Sequence, residues 1–131
     1  MLVIDQIVAV IRSAENDFKE AAKYNDIFSL GLAAYSTQQA CEKLLKIQLY
    51  RNNSNYKNKE YKTHNILAIL RKCNGSEYII PNEIFVYAKD IIDWETSGRY
   101  GDCSGLDPHL VRHILNICKE WVTVLVSKGY K

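Results

Sequence analysis

The chain has 131 residues, of which 47% are hydrophobic and 24% are charged, and its formal net charge is +2. This length suits one domain with its own core, and the composition excludes intrinsic disorder. Charges interrupt every apolar stretch before it reaches the roughly 18 residues of a transmembrane helix, and the opening residues do not resemble a secretory leader. We therefore expect a single cytoplasmic domain over residues 1–131.

Two long amphipathic segments open the chain. From Leu2 to Lys23 apolar residues recur every three or four positions, which predicts a helix with one buried stripe. Asn25 and Asp26 interrupt the pattern, and Asp26 can cap a second helix that continues to about Tyr50. We expect these two helices to form an antiparallel pair.

Shorter segments follow. Residues 51–62 have no apolar face and are rich in Asn and Lys, which predicts a mobile basic loop. Thr63 should cap a short third helix that ends near Asn74, and the stretch 97–106, with three of the six glycines, should be irregular. A fourth helix should begin at Asn82, and its apolar positions are Ile84, Phe85, Ala88, Ile91 and Ile92.

The last segment begins with Asp107 and Pro108, a typical helix start because Asp caps the first turn and Pro needs no hydrogen-bond partner there. Its apolar residues from Leu110 to Leu125 have helical spacing. No segment alternates with the period of a strand. The sequence therefore predicts an all-α, up-and-down bundle of four or five helices.

The four cysteines are spaced too widely for a zinc knuckle or a redox pair, and we expect them to act as small apolar side chains. His109 and His113 are four residues apart, but they lack a third ligand nearby. We therefore predict no metal and no cofactor. The cysteines are Cys41, Cys73, Cys103 and Cys118.

Charge is distributed unevenly along the chain. The stretch from Glu42 to Lys72 contains eight basic and two acidic residues, whereas the remainder contains nine basic and thirteen acidic residues. Such polarity attracts a polyanion to one part of the molecule, although a basic loop that only maintains solubility would give the same pattern.

One face of the second predicted helix contains Gln39, Glu42, Lys43 and Lys46, at the three- and four-residue spacing of helical neighbours. The order Glu42 before Lys46 favours an ion pair. This face can be either a binding surface or a solvated ridge whose ion pair contributes little to stability.

Four blocks of sequence in this order resemble the HEPN domain family. They are the acidic Ala14-Glu-Asn-Asp17 in the first helix, Gln39-Ala-Cys-Glu-Lys-Leu-Leu-Lys46 in the second, His64-Asn-Ile66 before the third, and Arg99-Tyr100 after the fourth. The chain departs from the family pattern in two places. Gly101 follows Arg99-Tyr100 where relatives often have Pro, and Asn65 follows His64 where many have Asp.

The resemblance implies a helical bundle that dimerises frequently and associates with nucleotides or RNA, often beside a small nucleotidyltransferase partner in toxin–antitoxin pairs. Some members are metal-independent ribonucleases in which four to six residues separate an Arg from the His that follows it. No arginine of this chain has a histidine at that spacing. Binding without catalysis is therefore the preferred interpretation.

Carried over from the family pattern, the resemblance implies a phosphate-binding site. Lys43 and Lys46 would supply positive charge, and Arg99 would make a forked, bidentate contact with a phosphate. His64 and Tyr100 would line the cleft. Asp17, Gln39 and Glu42 would form a supporting polar network. Alternatively, Arg99 pairs with Glu42 or Asp17 inside the bundle, and the polar set only fixes how the helices align.

Two other functions remain open from the sequence. One is an atypical metal-independent ribonuclease in which Arg99 and His64 meet from separate segments. The other is a non-catalytic bundle that binds a protein partner through an exposed apolar helix face.

Overall fold

A computed structural model describes residues 2–52, 65–100 and 105–131, except for the side chains of 97–100. These ranges contain six helices and no strand, so the predicted all-α class is confirmed. The helices share one hydrophobic core. They are α1 (Ile4–Tyr24), α2 (Ile27–Asn52), α3 (Ile66–Lys72), α4 (Asn82–Val86), α5 (Ala88–Tyr100) and α6 (Pro108–Ser127).

Helix α1 forms as its apolar spacing predicts. Five residues of the predicted stripe are buried, which places one face of the helix against α2 and α6. The helix ends at Asn25, whose backbone adopts the left-handed conformation (φ 51°, ψ 44°) and whose N–H donates to Ala21 O. The buried residues are Ile4, Ile7, Ile11, Ala14 and Phe18.

Helix α2 is the centre of the bundle, because α1, α3, α5 and α6 all pack against it. Its buried residues therefore lie on several sides of the helix, and they include the fully buried Leu44, Leu45 and Leu49. Asp26 accepts hydrogen bonds from Phe28 N at 3.0 Å and from Ser29 Oγ at 2.9 Å, as expected for a residue that caps the helix.

A buried glutamine holds the segment before α4 against the bundle. Gln48 of α2 accepts from Ile79 N at 2.7 Å and donates to Ile79 O at 2.9 Å. Trp121 of α6 donates its indole N–H to the same Ile79 oxygen at 2.7 Å. The backbone N–H and C=O of Ile79 are therefore satisfied by side chains of two helices.

The predicted helix ends around the basic loop need two corrections. Helix α2 continues through Arg51 and Asn52, and the rest of the predicted loop from residue 53 lies outside the described residues, as does Thr63. Helix α3 is capped by Asn65, not by Thr63, because the Asn65 carboxamide oxygen accepts from Ala68 N at 3.2 Å.

The prediction of one fourth helix and an irregular stretch 97–106 was partly wrong. Tyr87 (φ −106°, ψ 16°) divides the helix into α4 and α5, and Phe85 is exposed while Ile84 and Ile91 are buried. Helix α5 then continues through Gly98 to Tyr100, because an interior Gly costs a helix only about 1 kcal/mol.

Candidate nucleic-acid interface

The candidate face of α2 is only partly exposed to solvent. Lys46 Nζ contacts Glu42 Oε1 at 2.9 Å, so the ion pair expected from the spacing is present. The Glu42 side chain is 2% exposed and that of Lys46 is 15% exposed. A fully solvated ridge is therefore the wrong description of this pair, which is anchored in the bundle.

Lys43 lies beside this pair on α2 and is partly exposed. It forms no ion pair with any described residue. Because the Lys46 ammonium is paired with the buried Glu42 carboxylate, Lys43 is the lysine of this face that has no counter-charge among the described residues. Gln39, one turn earlier, donates its amide to Gln38 Oε1 at 2.6 Å. Gln38 itself is fully buried, so Gln39 is fixed by a polar group of the interior.

The remaining predicted phosphate contacts fall at the edge of the described chain. Arg99 and Tyr100 form the last two residues of α5, a helix that packs against α2. Their side chains and His64 lie outside the described residues. The structure thus places Lys43 and Lys46 one turn apart on α2 and brings the helix of Arg99 and Tyr100 alongside the same helix.

A comparison with protein-family models matches residues 7–128 to the family described as HEPN domain. The chain belongs to the HEPN family. This match confirms the resemblance and extends from the first turn of α1 to the end of α6. No curated protein and no solved structure matches the chain.

The acidic residue of the first HEPN block, Asp17, is half-buried on α1. Burial, with a smaller contribution from the neighbouring Glu20 carboxylate, raises the pKa of Asp17 above its ordinary value. A guanidinium beside a carboxylate acts in the opposite direction. Among the described residues, then, the groups that act on Asp17 favour its neutral form.

The described cysteines are buried free thiols, as predicted, and they are Cys41, Cys73 and Cys118. The Sγ atoms of Cys41 and Cys118 are 3.5 Å apart across α2 and α6. That contact and burial raise the pKa of Cys41, and burial raises that of Cys73 to about 12. Cys103 lies outside the described residues. These described thiols act as core residues, since thiolates are the reactive form.

Metal ligands do not converge anywhere in the described ranges, where no group of three or more His, Cys, Asp or Glu side chains could hold an ion. His109 and His113 are both exposed on α6, and His113 packs edge-on against the Tyr87 ring at 6.4 Å. Among the helices that the structure describes, none has the length and apolar character needed to span a bilayer.

Sequence reasoning missed two polar features of this HEPN chain. Gln48 was not singled out, although its position within the apolar pattern of α2 is a sign that its amide has a buried partner. Arg51 was assigned to the basic loop, whereas it belongs to α2 and lies over the Tyr130 ring at 4.3 Å. No local sequence pattern connects Arg51 with a residue so distant in the chain.

Proposed function

We propose that this chain is a single HEPN-like domain that binds the phosphates of a nucleotide or RNA without cleaving them. Lys43 and Lys46 supply charge from α2, Arg99 a forked contact from the end of α5, and His64 and Tyr100 the walls of the site. Asp17, Gln39 and Glu42 support it. The chain would act as a homodimer or as the HEPN half of a toxin–antitoxin-type module with a nucleotidyltransferase.

The observation that carries the proposal is the arrangement of charge on α2. Lys43 is partly exposed and has no ion-pair partner among the described residues. Glu42, the acidic residue of this face, is buried and forms an ion pair with Lys46. An anion approaching the face therefore meets ammonium groups before it meets the carboxylate. This arrangement suits the family's association with nucleotides and RNA and favours contacts to phosphate.

The test is a titration of the protein with ATP and with a short RNA at low salt. We expect both to bind, with RNA affinity falling as salt rises because binding releases counterions. Lys43→Ala should lower the slope of log affinity against log salt by about 0.7, the contribution of one phosphate contact to a single strand. Lys19→Ala, which removes an exposed lysine from α1, is the matched control and should leave the slope unchanged.

Absence of binding at millimolar ATP and micromolar RNA would reject the proposal. A second outcome is cleavage of the RNA without added metal. If His64→Ala abolished that cleavage, the chain would be the atypical ribonuclease, and the binding-only proposal would be wrong.

An exposed apolar cluster supports the proposed partner binding. Tyr24, Ile27, Phe28 and Leu32 are all exposed around the turn between α1 and α2, and Phe28 is 67% exposed. Large apolar side chains grouped in this way are typical of protein–protein contacts. In a two-fold dimer the same patch of each copy would face the other, so these exposed apolar side chains would cover one another.

Phe28→Asp should convert the dimer into a monomer, measured by light scattering after size-exclusion chromatography. The substitution places a charge in the interface but leaves the core intact, and an acidic residue in the first turn of α2 suits the helix dipole. Val126→Asp, at an exposed site on α6, is the control and should stay dimeric. A monomeric unsubstituted protein at high micromolar concentration would contradict the homodimer and leave the nucleotidyltransferase as the partner to test.

A further inference from the structure

A cleft lies at the C-terminal end of α2, where the last residues of the chain fold back beside the start of α1. Its volume is about 690 Å³, which lies within the range of small-molecule sites. Leu2, Val3 and Ile47 give it apolar walls. Tyr50, Arg51, Gly129, Tyr130 and Lys131 complete the lining, so the cleft combines apolar surface, aromatic rings and basic groups.

Arg51 is held in a fixed position at this cleft. Its guanidinium carbon lies 4.3 Å from the centre of the Tyr130 ring, and Nη1 donates to Lys128 O at 3.4 Å. Tyr130 is itself buried, and its hydroxyl accepts from Asn52 Nδ2 at 3.4 Å. No described carboxylate pairs with Arg51. The cleft therefore has a cation that is oriented in advance and still has hydrogen-bond donors to offer.

Gly129 allows the chain to take this path. Its φ of 93° lies in the left-handed region that residues with a side chain rarely adopt. A Cβ at Gly129 would be 3.7 Å from Arg51 Nη2, an ordinary contact, so the backbone conformation rather than space favours glycine here. The turn brings Tyr130 beneath the Arg51 guanidinium.

Tyr50, which lines the cleft, connects it with the lysine face of α2, the face that contains Lys43 and Lys46. Tyr50 lies four residues after Lys46, on the same side of the helix and roughly 6 Å further along its axis. The Tyr50 side chain is 43% exposed. A strand bound by its phosphate at Lys43 and Lys46 would therefore reach the Tyr50 ring with its next base.

We propose that this cleft binds a base of single-stranded RNA whose phosphates occupy the lysine face, an inference that rests on the proposed function. Aromatic rings and guanidinium groups stack on any base, because every base has a π-face. Apolar walls contact that face without requiring a particular hydrogen-bond pattern. The natural ligand is then an oligonucleotide rather than a mononucleotide, since only a strand can occupy both places at once.

The experiment compares a fluorescein-labelled oligoadenylate RNA with AMP, in direct and competition anisotropy titrations. The unsubstituted protein should bind the oligonucleotide at least roughly five-fold more tightly than AMP, because stacking of one base adds about 1–3 kcal/mol and about 1.4 kcal/mol is ten-fold in affinity. Tyr50→Ala and Arg51→Ala should each remove most of this preference and leave AMP affinity within about two-fold. Arg51→Lys should retain part of this preference, because lysine keeps the positive charge but lacks the planar guanidinium that stacks on a base.

Arg112→Ala is a matched control, because Arg112 also lies over an aromatic ring, that of Phe18, at 4.7 Å. It is 16 positions before Lys128 in the chain, or roughly 24 Å away along α6. This variant should bind both ligands as the unsubstituted protein does. Thermal unfolding of each variant checks the fold, and Tyr50→Ala keeps the test valid if Arg51→Ala does not fold.

Oligonucleotide affinity that is unchanged in both Tyr50→Ala and Arg51→Ala would overturn the base site while leaving the phosphate site in place. Equal affinity of the unsubstituted protein for oligonucleotide and AMP would overturn it as well. Binding of neither ligand would instead reject the proposed function on which the inference rests.

Discussion

Lys46→Met is expected to lower the free energy of unfolding by about 2 kcal/mol, because it leaves the buried Glu42 carboxylate without its 2.9 Å partner. Breaking a fully buried ion pair costs about 3–5 kcal/mol. The expected value is smaller here because the Lys46 side chain is 15% exposed, so that water can reach that end of the pair. Urea denaturation followed by circular dichroism measures the change.

The double variant Glu42→Gln/Lys46→Met separates stability from binding. It should recover most of the lost stability, because Glu42→Gln removes the buried negative charge that Lys46 balanced. It should not recover RNA affinity, since the ammonium group is still absent. Lys43→Ala is the matched control for stability and should change it by less than about 0.5 kcal/mol, because Lys43 is partly exposed and has no ion pair with a described residue. A Lys46→Met protein as stable as the unsubstituted chain would show that the ion pair contributes nothing to the fold.

The fold class could be predicted from the sequence because α1 and α6 each bury one stripe, and spacing alone reveals such a stripe. Helix α2 is different, since neighbours surround it and polar residues such as Thr37, Gln38 and Gln48 are buried within it. Its apolar positions still predicted a helix. They could not show that the helix is the centre of the bundle, because burial on several sides depends on which helices pack there.

Element ends were predicted less well, for reasons that are physical. Asn65 and Thr63 both have side chains suited to capping, and the cap is the one whose oxygen accepts from the first turn of α3. Gly98 indicated an irregular stretch, but tertiary packing of α5 on α2 outweighs a cost of about 1 kcal/mol for one glycine. The break at Tyr87 has no Gly or Pro to indicate it.

The sequence predicted which residue types form the candidate site, but it did not predict how exposed their side chains are. The spacing of Glu42 and Lys46 predicted their ion pair, which is present. The same spacing is found on solvated helices, so it could not reveal that Glu42 is buried. The cleft at the end of α2 depends on Arg51 meeting Tyr130, a contact between residues almost eighty positions apart that only the folded chain brings together.

Arg99→Ala is expected to weaken binding of RNA roughly thirty-fold, which corresponds to about 2 kcal/mol, the usual worth of hydrogen bonds to a charged group. The reason is the planar guanidinium, which can hold two phosphate oxygens at once. Lys57→Ala removes the same charge from the basic stretch that follows α2 and should weaken binding by less than about three-fold, because a lysine contributes a point charge only. Fluorescence anisotropy at one fixed salt concentration gives both values.

Arg99→Lys distinguishes the forked contact from charge alone. Because it keeps one positive charge, the salt dependence of binding should match that of the unsubstituted protein, while the affinity stays well below it. If Arg99→Lys restored full affinity, the contact would be purely electrostatic and the forked geometry would be wrong. If Arg99→Ala lost stability and kept its affinity for RNA, Arg99 would instead belong to an internal polar network that aligns α5 with α2.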